Sequence, residues 1–344
     1  MNTQIKEIFA EDPNAEQWQM IMNFSYSDNI KNYFKKRNIE IDNKDFLETI
    51  AGSILQAKEY FDASNMVSLN TSPLLLYYGV TNLLFGVSCL LCAKPLNITN
   101  HGMKLSWPKD RAKRIADVEI VPFNPKSGAL SQFCNIFCSG EIIPYGKNWT
   151  LLEIIGSIPD LKQDFDDFYS NARSYVIPVQ DVKRKDDSLE RIRIDEIKRF
   201  EEGEKILEII ESLDDCYLSP QSSGKYIILR KRIGGKDVGV FSLSGQKFLQ
   251  IAHIKGSRCV TLPIIIYIYM GLFALGFLSR YHPDIWSVFI RSDFTGEKQL
   301  LSKFINISRR YLPNLLINFI YGMRMQFTNA VQGVLDLSQT IEEN

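Results

Sequence analysis

Histidine and arginine side chains next to two long apolar segments are the residues of this sequence best suited to acid–base or phosphate chemistry. His101 is followed by Gly102 in a polar segment, where an imidazole can act as a base or bind a phosphate. Arg280 ends a long stretch without charged residues. We predict that Arg280 and His101 meet across the molecule as an anion-binding site. His282 and Trp286 would border the same pocket.

A purely structural interpretation of these residues stays open. His101 would then tie its loop to the core. Arg280 would complement the C-terminal end of a helix, where a cation contributes up to about 1 kcal/mol. Trp286 would be a core aromatic residue rather than a surface for stacking.

Two adjacent tyrosines, Tyr77 and Tyr78, lie in an apolar segment together with Asn82. A buried tyrosine hydroxyl needs a hydrogen-bond partner, and Asn82 follows Tyr78 by one helical turn. We therefore expect a hydrogen-bond network that contains Tyr78 and Asn82. It would either stabilise the core or form part of a binding site.

Arg230 and Arg232 are separated by one residue in a strand-like segment, so both would lie on one face of a strand. With Tyr226 nearby, they could bind the phosphate backbone of a nucleic acid. The whole chain, however, has 40 basic and 40 acidic residues, which does not indicate a general attraction to nucleic acid. A solvated strand face is the alternative interpretation.

The six cysteines of the chain do not predict a metal site. Cys89 and Cys92 lie in an apolar segment, and Cys134 and Cys138 are one helical turn apart. A zinc site usually has close ligand pairs on turns, whereas these pairs lie on predicted helices and the chain has only three histidines. We predict buried or free thiols and no metal. No P-loop, dinucleotide fingerprint or H-E-x-x-H motif is present, so we also expect no cofactor.

The first third of the chain predicts helices that would position His101. Residues 73–93 are almost entirely apolar and follow Ser72-Pro73, which is typical of a helix start. Residues 95–128 predict a long connection that is functional or contains short strands. In the segment before residue 73, apolar residues recur at three- and four-residue steps, which predicts a helix. These residues are Phe46, Ile50, Ile54, Ala57 and Phe61.

The middle of the chain has a different character. Residues 181–211 are its most charged part and predict a solvated helix. Two strand-like runs, 225–233 and 238–243, flank Gly234-Gly235, which predicts a hairpin with a tight turn. Residues 248–253 would supply a third strand.

The last third predicts helices again, over 259–279, over 298–310 and from Pro313 to about residue 337. We therefore expect a mainly α fold with a smaller, partly β insertion in the middle of the chain. A length of 344 residues allows about two domains. The predicted divisions are an N-terminal helical region, a middle insertion and a C-terminal helical region: 1–174, 175–255 and 256–344.

Two segments without charged residues, 63–93 and 259–279, are long enough to cross a membrane. The first contains several asparagine, serine and threonine residues, and the second contains Pro263 and two tyrosines. Helices that are apolar on all sides also occur in the interior of large soluble domains, and this is the interpretation that we favour. With a polar N-terminus that lacks a signal layout, we predict a cytoplasmic protein and no membrane partner.

Several short motifs occur in a fixed order along the chain. They are Trp18, the runs QAKEYF (56–61), SPLLLYYG (72–79) and NLL (82–84), His101-Gly102, and the run LSRYHPDIW (278–286). This order resembles the YaaC-like proteins of bacteria over about residues 18–138 and 258–327. The resemblance implies a mainly helical bacterial protein connected with defence against phage.

The tyrosine pair followed by a distant His-Gly also resembles HEPN domains, which are helical bundles found in toxins and antiviral systems. Many HEPN ribonucleases have an arginine and a histidine four to six residues apart, which together can activate the RNA 2′-hydroxyl and stabilise charge on the phosphate. Here no arginine lies four to seven residues before any histidine, and Arg280 and His282 are two residues apart. The standard HEPN nuclease motif is therefore absent.

We predict a non-catalytic interaction or sensing component of a bacterial antiviral system, with a HEPN-like helical bundle. Its expected partners are a second copy of the chain and another defence protein. One alternative is a metal-independent RNA-cleaving effector that uses His101 and Arg280, with nucleic acid as its partner. A second alternative is a membrane-acting effector that uses residues 73–93 and 259–279.

Overall fold

Helices form the largest part of the structure, with small β-sheets attached to them. The computed structural model describes residues 5–107, 114–123, 128–138, 147–169, 172, 174–184, 187–198, 217–231, 239–251, 253–255 and 258–329. The mainly helical fold predicted from the sequence is confirmed. The α-helices in this part of the chain are α1 (Pro13–Met22), α2 (Ser27–Lys36), α3 (Lys44–Met66), α4 (Ser72–Cys92), α5 (Ala129–Phe137), α6 (Leu151–Gly156), α7 (Lys162–Phe168), α8 (Ile194–Lys198), α9 (Ile264–Tyr281), α10 (Pro283–Ser292) and α11 (Glu297–Tyr321).

The strands form several separate small sheets rather than one large one. Their pairing orders are β1-β14, β2-β3-β4, β6-β7-β9-β8, β10-β11-β5 and β12-β13. Only β1 and β14 pair in parallel, among the strands that the structure describes. The strands are β1 (Ile5–Ala10), β2 (Met103–Ser106), β3 (Glu119–Pro122), β4 (Trp149–Thr150), β5 (Val176–Pro178), β6 (Gln180–Arg184), β7 (Asp187–Arg193), β8 (Tyr217–Ser223), β9 (Tyr226–Lys231), β10 (Val240–Phe241), β11 (Lys247–Gln250), β12 (His253–Lys255), β13 (Arg258–Val260) and β14 (Arg324–Asn329).

Helices α3 and α4 form a closely packed antiparallel pair. A Cβ atom on Gly79 would lie 2.8 Å from Cδ2 of Phe61, and one on Gly86 would lie 3.0 Å from Cγ1 of Ile54. Glycines seven residues apart occupy the same face of a helix. This face of α4 can therefore lie directly against α3, which is the helix predicted from the apolar stripe that ends at Phe61.

Helix α9 lies between α4 and α11 in the core. A Cβ atom on Gly276 would lie 3.2 Å from Cβ of Tyr77 in α4, and one on Gly271 would lie 2.6 Å from Cζ of Phe304 in α11. Helices α4 and α9 are long and apolar enough to cross a membrane, but 61% and 78% of the residues in their apolar windows are buried in the protein. Since core helices pass the same test, these helices are weak support for a membrane role. The cytoplasmic location stays a prediction.

The connection after α4, residues 95–128, contains short strands. This was one of the two possibilities predicted for it, the other being a functional loop. Strand β2 pairs with β3, and β3 pairs with β4, both in antiparallel fashion. The side chain of Met103 is buried and that of the next residue, Lys104, is exposed, as the alternation of a strand requires. This small sheet carries the His-Gly segment against the helices.

The prediction of a helix over 181–211 is wrong for its first part. Residues 180–184 and 187–193 form the antiparallel strands β6 and β7, and of the predicted helix only α8 is found among the described residues. Glu190 and Ile192 are buried, whereas Arg191 and Arg193 are not. This alternation has a period of two, which the high charge density concealed. Residues 199–211 lie outside the described part of the chain.

The predicted hairpin around Gly234-Gly235 is also wrong in its pairing. Strand β9 pairs with β8 through a turn at Gly224, whose φ of +59° suits glycine, and on its other side with β7. Strand β10 pairs instead with β11, so Val240 lies opposite Phe248 in a different sheet. The third strand predicted over 248–253 corresponds to β11. Gly234 and Gly235 lie outside the described residues.

The C-terminal region forms one long helix where we predicted two. Helix α11 runs through Pro313, which is buried in the helix interior, and ends at Gly322 with φ +66°. Packing of α11 into the core compensates for the backbone hydrogen bond that proline cannot make. Strand β14 then pairs with β1 at the other end of the chain. Residues 330–337, the remainder of the predicted helix, are outside the described part.

The predicted boundary at residue 174 is crossed by several contacts. The backbone N–H of Tyr175 donates to the carbonyl of Gly156 at 2.7 Å, and Lys162 forms an ion pair with Glu196 at 3.0 Å. The middle region therefore packs against the helices that precede it. The division into 1–174, 175–255 and 256–344 stays a prediction.

Candidate functional site

The position of His101 is set by the backbone of its own loop. The side chain of Asn100 accepts a hydrogen bond from the N–H of Gly102 at 2.8 Å, and the carbonyl of Asn100 accepts one from Ala129 at 2.8 Å. Gly102 has a φ of +73°, and its Cα would lie 2.5 Å from a Cβ atom on Gly128. Only glycine suits both the left-handed conformation and this close approach. The His-Gly motif is therefore a rigid turn that presents the imidazole.

A chain of tyrosine hydroxyls connects His101 to the core. The Tyr77 hydroxyl lies 2.6 Å from Nδ1 of His101 and 3.3 Å from the Tyr269 hydroxyl. Burial, followed by the neighbouring Tyr269 hydroxyl, raises the pKa of Tyr77 well above its ordinary value, and burial raises the pKa of Tyr269. Both phenols are therefore protonated at neutral pH and can donate.

The Tyr77 phenol is protonated and its hydroxyl lies 2.6 Å from Nδ1 of His101, so it can donate to that nitrogen. In the tautomer with a bare Nδ1, Tyr77 is the donor and Nδ1 is the acceptor. The hydroxyl of Tyr269 then donates to Tyr77, because the single proton of Tyr77 is already used. In a neutral imidazole the proton is therefore on Nε2.

Electrostatics keep the His101 ring neutral. Partial burial of the ring, followed by the positive charge of Arg280, lowers the pKa of His101 below its ordinary value. The ring is thus uncharged at pH 7 and has an N–H donor at Nε2. His101 as a residue is exposed at the surface, so this donor is available to a ligand.

Arg280 reaches the same surface from the end of α9. Its guanidinium donates to the hydroxyl of Tyr78 and lies 5.0 Å from the ring centroid of Tyr281. Arg280 is exposed, and its charge is close enough to His101 to affect the pKa of that ring. Arg280 of α9 thus bonds to Tyr78 of α4, and the preceding residue, Tyr77, bonds to His101.

Asn82 has a different position from the one predicted. The hydroxyl of Tyr78 bonds to Arg280 rather than to Asn82. A tyrosine hydroxyl lies at the far end of a long ring and reaches a neighbouring helix, whereas an asparagine amide stays close to its own backbone. The Asn82 side chain is half-buried on α4 and forms no hydrogen bond with the described residues.

His282 and Trp286 differ in their surroundings. The His282 ring contacts the ring of Trp107 at 6.5 Å and that of Phe277 at 5.8 Å, measured between centroids. It is half-buried and continues the surface on which Arg280 lies. Trp286 is buried, and its indole N–H donates to the carbonyl of Leu69 at 3.3 Å. Trp286 is thus a core residue, as the structural interpretation of the sequence required.

The basic residues of the middle region lie on a different element. Arg230 is exposed on β9 of the four-stranded sheet. The ring of Tyr226 on the same strand is stacked by Arg191, 4.4 Å from its centroid. Arg232 lies outside the described residues, so the predicted Arg230/Arg232 pair stays a prediction.

Cysteine, histidine and carboxylate side chains form no group of three or more that could hold a metal ion in the described part of the chain. Cys134 and Cys138 at the end of α5 are free thiols, and their mutual hydrogen bond raises the pKa of Cys134 and lowers that of Cys138. They are buried, as expected from their apolar surroundings.

Sequence reasoning missed three residues that shape this site: Tyr269, Phe273 and Trp107. Tyr269 and Phe273 are one turn apart on α9, and their only signal was a tyrosine in an apolar segment, whose hydroxyl needs a partner. Trp107 follows β2, and nothing in the sequence indicated its contact with His282.

Comparison with known proteins identifies the family of the chain. No curated protein and no solved structure matches it. The profile of one family, described as YaaC-like Protein, matches residues 15–320. That range includes every element of the site: the tyrosine pair of α4, the His-Gly turn and the end of α9 with Arg280. The chain therefore belongs to the YaaC-like protein family.

Proposed function

We propose that this protein is a non-catalytic sensing component that binds an anionic ligand between His101 and Arg280. The observation that carries the proposal is the 2.6 Å bond from the Tyr77 hydroxyl to Nδ1 of His101. It leaves an N–H donor at Nε2 beside the guanidinium of Arg280. A site with donors only is suited to phosphate or carboxylate oxygens, which accept several hydrogen bonds at once.

The same geometry disfavours catalysis by His101. A general base must direct a lone pair at the proton that it removes. In His101 the Nδ1 lone pair accepts from Tyr77, and Nε2 has a proton. The neutral ring can therefore bind an anion, but it cannot remove a proton from a ligand at the surface without first exchanging tautomers.

The biological setting is part of the proposal. Antiviral defence is the role that the family resemblance implies, and a sensing component would pass its signal to a second copy of the chain or to another defence protein. Light scattering of the purified protein, with and without an anionic ligand, measures the first kind of association.

A ribonuclease is the second candidate, and what supports it is that His101 and Arg280 bond to the adjacent tyrosines Tyr77 and Tyr78 of α4. It would need a HEPN-like bundle, which we also propose from the antiparallel α3–α4 pair and from α9 packed against it. The absence of the usual arginine–histidine spacing and the tautomer of His101 both count against cleavage.

The proposal is tested by calorimetric binding of pyrophosphate. Arg280→Ala should weaken binding at least tenfold, since a charge-assisted contact contributes about 1.5–3 kcal/mol. Tyr77→Phe should weaken it about fivefold, because loss of one hydrogen bond of about 1 kcal/mol frees the His101 ring. Lys35→Ala is the control, since it removes an exposed cation of α2, where the following Arg37 bonds to Leu91 at the opposite end of α4 from Tyr77, and it should leave affinity unchanged.

An RNA cleavage assay on the same proteins separates the two candidates. We expect no cleavage by the wild type. Cleavage that is lost in His101→Ala and Arg280→Ala, with circular dichroism unchanged, would support the ribonuclease and contradict a non-catalytic role. Failure of the wild type to bind pyrophosphate would contradict the anion site.

A further inference from the structure

The four-stranded sheet β6-β7-β9-β8 has one buried face and one face that reaches solvent. Successive side chains of a strand alternate between the two faces of a sheet. On β7 and β9 the buried side chains are Glu190, Ile192, Ile227 and Leu229. We call the opposite face the arginine face, and its residues are Arg191, Arg193, Tyr226, Ile228 and Arg230.

The strand register brings the three arginines onto one small surface. Arg193 of β7 lies opposite Tyr226 of β9, and Arg191 lies opposite Ile228. Arg230 follows Ile228 by two residues on β9, which makes it a diagonal neighbour of Arg191. Neighbouring strands are about 4.8 Å apart, and alternate residues of one strand are about 7 Å apart. The cations therefore surround the side chains of Tyr226 and Ile228.

The contacts of Arg191 leave part of its guanidinium available to a ligand. Its Cζ lies 4.4 Å from the ring centroid of Tyr226, and its Nε donates to Oε1 of Gln180 at 2.8 Å. Its two terminal nitrogens form no hydrogen bond with a residue that the structure describes. Arg191 is thus held in place on the sheet by its Nε and by the tyrosine ring.

Arg193 has a carboxylate partner that a ligand can replace. Its Nε and one terminal nitrogen donate to the two carboxylate oxygens of Asp195 at 3.0 and 2.6 Å. The two side chains are 57% and 53% exposed, and ion pairs with this exposure contribute little free energy. A phosphate can therefore take the position of the Asp195 carboxylate at small cost.

Two other carboxylates of this region are paired with lysines. Glu190 is on the buried face of the sheet, where it pairs with Lys247 at 2.6 Å. Glu196 pairs with Lys162 at 3.0 Å, and its side chain is 15% exposed. A chain with equal numbers of basic and acidic residues can thus have a local positive surface.

We propose that the arginine face binds single-stranded nucleic acid, with Arg191, Arg193 and Arg230 bonded to its phosphates. A guanidinium can donate to two phosphate oxygens at once, and such contacts do not depend on the base sequence. Tyr226 and Ile228 supply an apolar surface between the cations, which the accessible bases of a single strand can cover. A duplex keeps its bases inside and would leave these two side chains uncovered.

This inference goes beyond the proposed anion site, because no residue of the arginine face belongs to that site. The sequence pointed to Arg230 with Arg232 and Tyr226. The strand register adds Arg191 and Arg193 from the neighbouring strand. Either site can therefore fail in an experiment without the other.

Fluorescence anisotropy with a labelled oligouridylate RNA of about 12 nucleotides measures the binding. In the wild type, the slope of log affinity against log salt concentration should be about −2, because each of three phosphate contacts contributes about −0.7. Arg230→Gln should weaken binding about tenfold and change the slope to about −1.4. Arg191→Gln should have the same effect. Arg230→Lys, which keeps the charge, should keep the slope.

Asp195→Asn distinguishes ligand binding from a structural role of the arginines. It should tighten binding about two- to fivefold, because it releases Arg193 and removes a negative charge. A set of arginines that only stabilises the sheet would gain no affinity from this change. Arg291→Gln is the matched control, since it removes an exposed arginine from α10 and should leave the affinity unchanged.

Three results would overturn the inference, provided that circular dichroism shows each variant to be folded. The first is no binding of the RNA by the wild type at low salt. The second is an unchanged affinity in both Arg191→Gln and Arg230→Gln. The third is equal or tighter binding of the same RNA as a duplex with oligoadenylate, since that would require phosphates alone. Weaker binding by Asp195→Asn would overturn the role of Arg193.

Discussion

The helical centre and the middle region of this protein satisfy their buried polar groups in different ways. In the centre, α3, α4, α9 and α11 pack through glycines and apolar residues, and hydroxyls such as those of Tyr77 and Tyr269 bond to each other. The buried carboxylate of Glu297 on α11 accepts from neutral donors, the N–H groups of Ile115 and Ala116 and the hydroxyl of Tyr169. In the middle region, Lys247 on β11 forms an ion pair with Glu190 on β7 at 2.6 Å. Their side chains are 5% and 0% exposed.

Charged groups also connect the two regions. Lys162 on α7 pairs with Asp166 at 2.7 Å and with Glu196 on α8 at 3.0 Å, and all three side chains are largely buried. Apolar burial supplies most of the stabilising free energy of a domain, whereas a buried ion pair contributes little net energy but strongly penalises any arrangement that breaks it. We infer that the centre supplies stability to the site and that ion pairs hold the small sheets against it.

The largest effect on stability is expected from Phe304→Ala in the centre. Phe304 is fully buried on α11 against Gly271 of α9. Its removal leaves a cavity between these helices and should lower the free energy of unfolding by about 3–5 kcal/mol. Urea denaturation followed by circular dichroism measures the change.

Phe294→Ala is the matched control, since the same atoms are removed from a side chain that is 96% exposed. Its effect should stay within about 0.5 kcal/mol. Similar losses in both variants would show that apolar packing at α9 and α11 does not dominate the stability of the centre.

A smaller and more local effect is expected from Lys247→Met in the middle region. The substitution leaves the carboxylate of Glu190 buried without its ammonium partner, which should cost about 3 kcal/mol. Hydrogen exchange should increase in β7 and β11 and stay unchanged in α4 and α9, because local opening of the sheets does not require the core to open.

Lys303→Met tests whether burial of the ion pair is the reason for the loss of stability in Lys247→Met. Lys303 forms an ion pair with Asp164, and both side chains are more than 40% exposed, so its loss should cost less than about 1 kcal/mol. The double variant Lys247→Met with Glu190→Leu should recover most of the lost stability. No recovery would contradict the view that the buried charge of Glu190, once Lys247 is removed, causes the loss.

The smallest effect on the free energy of unfolding is expected from protonation of His101 at low pH. The folded state lowers the pKa of His101 relative to the unfolded chain, through partial burial and then through Arg280. A lowered histidine pKa stabilises the fold fully above the unfolded value of about 6.5, and this contribution is lost as the pH falls through the folded value. Because the residue is exposed, the change should be small.

The comparison uses urea unfolding at pH 7.5 and at pH 5.5 for the wild type and for His101→Gln. The wild type should lose more stability on acidification than the variant. An equal or smaller loss in the wild type would mean that protonation of His101 does not oppose folding.

The sequence predicted the helical centre better than the middle region for a physical reason. The apolar stripe that ends at Phe61 and the charge-free segment that ends at Arg280 are long, and each predicts a helix whichever surroundings it has. Strand β7 has seven residues, far fewer than either helix, and its buried Glu190 resembles a surface charge until its partner Lys247 is known. Pro313 led to the wrong prediction that a new helix begins there, because proline usually begins a helix. Packing around α11 compensates for proline in the helix interior.

The sequence showed which residue types could form the candidate site, but it did not show which of them contact one another. The meeting of His101 and Arg280 stays a prediction, and the structure shows that they bond to the adjacent tyrosines Tyr77 and Tyr78. The partner of Tyr78 was taken to be Asn82, one turn away, but it is Arg280, about 200 residues further along the chain. The spacing of residues along the chain identifies neighbours on one helix, but it does not identify contacts with another helix.

The amino-acid sequence by itself determined that the chain forms two long apolar helices, whose side chains must be shielded from water. Only the tertiary structure decided the proton on His101. That proton depends on Tyr77 and Tyr269, which lie on helices far apart in sequence and act on the imidazole because packing places their hydroxyls within hydrogen-bonding distance.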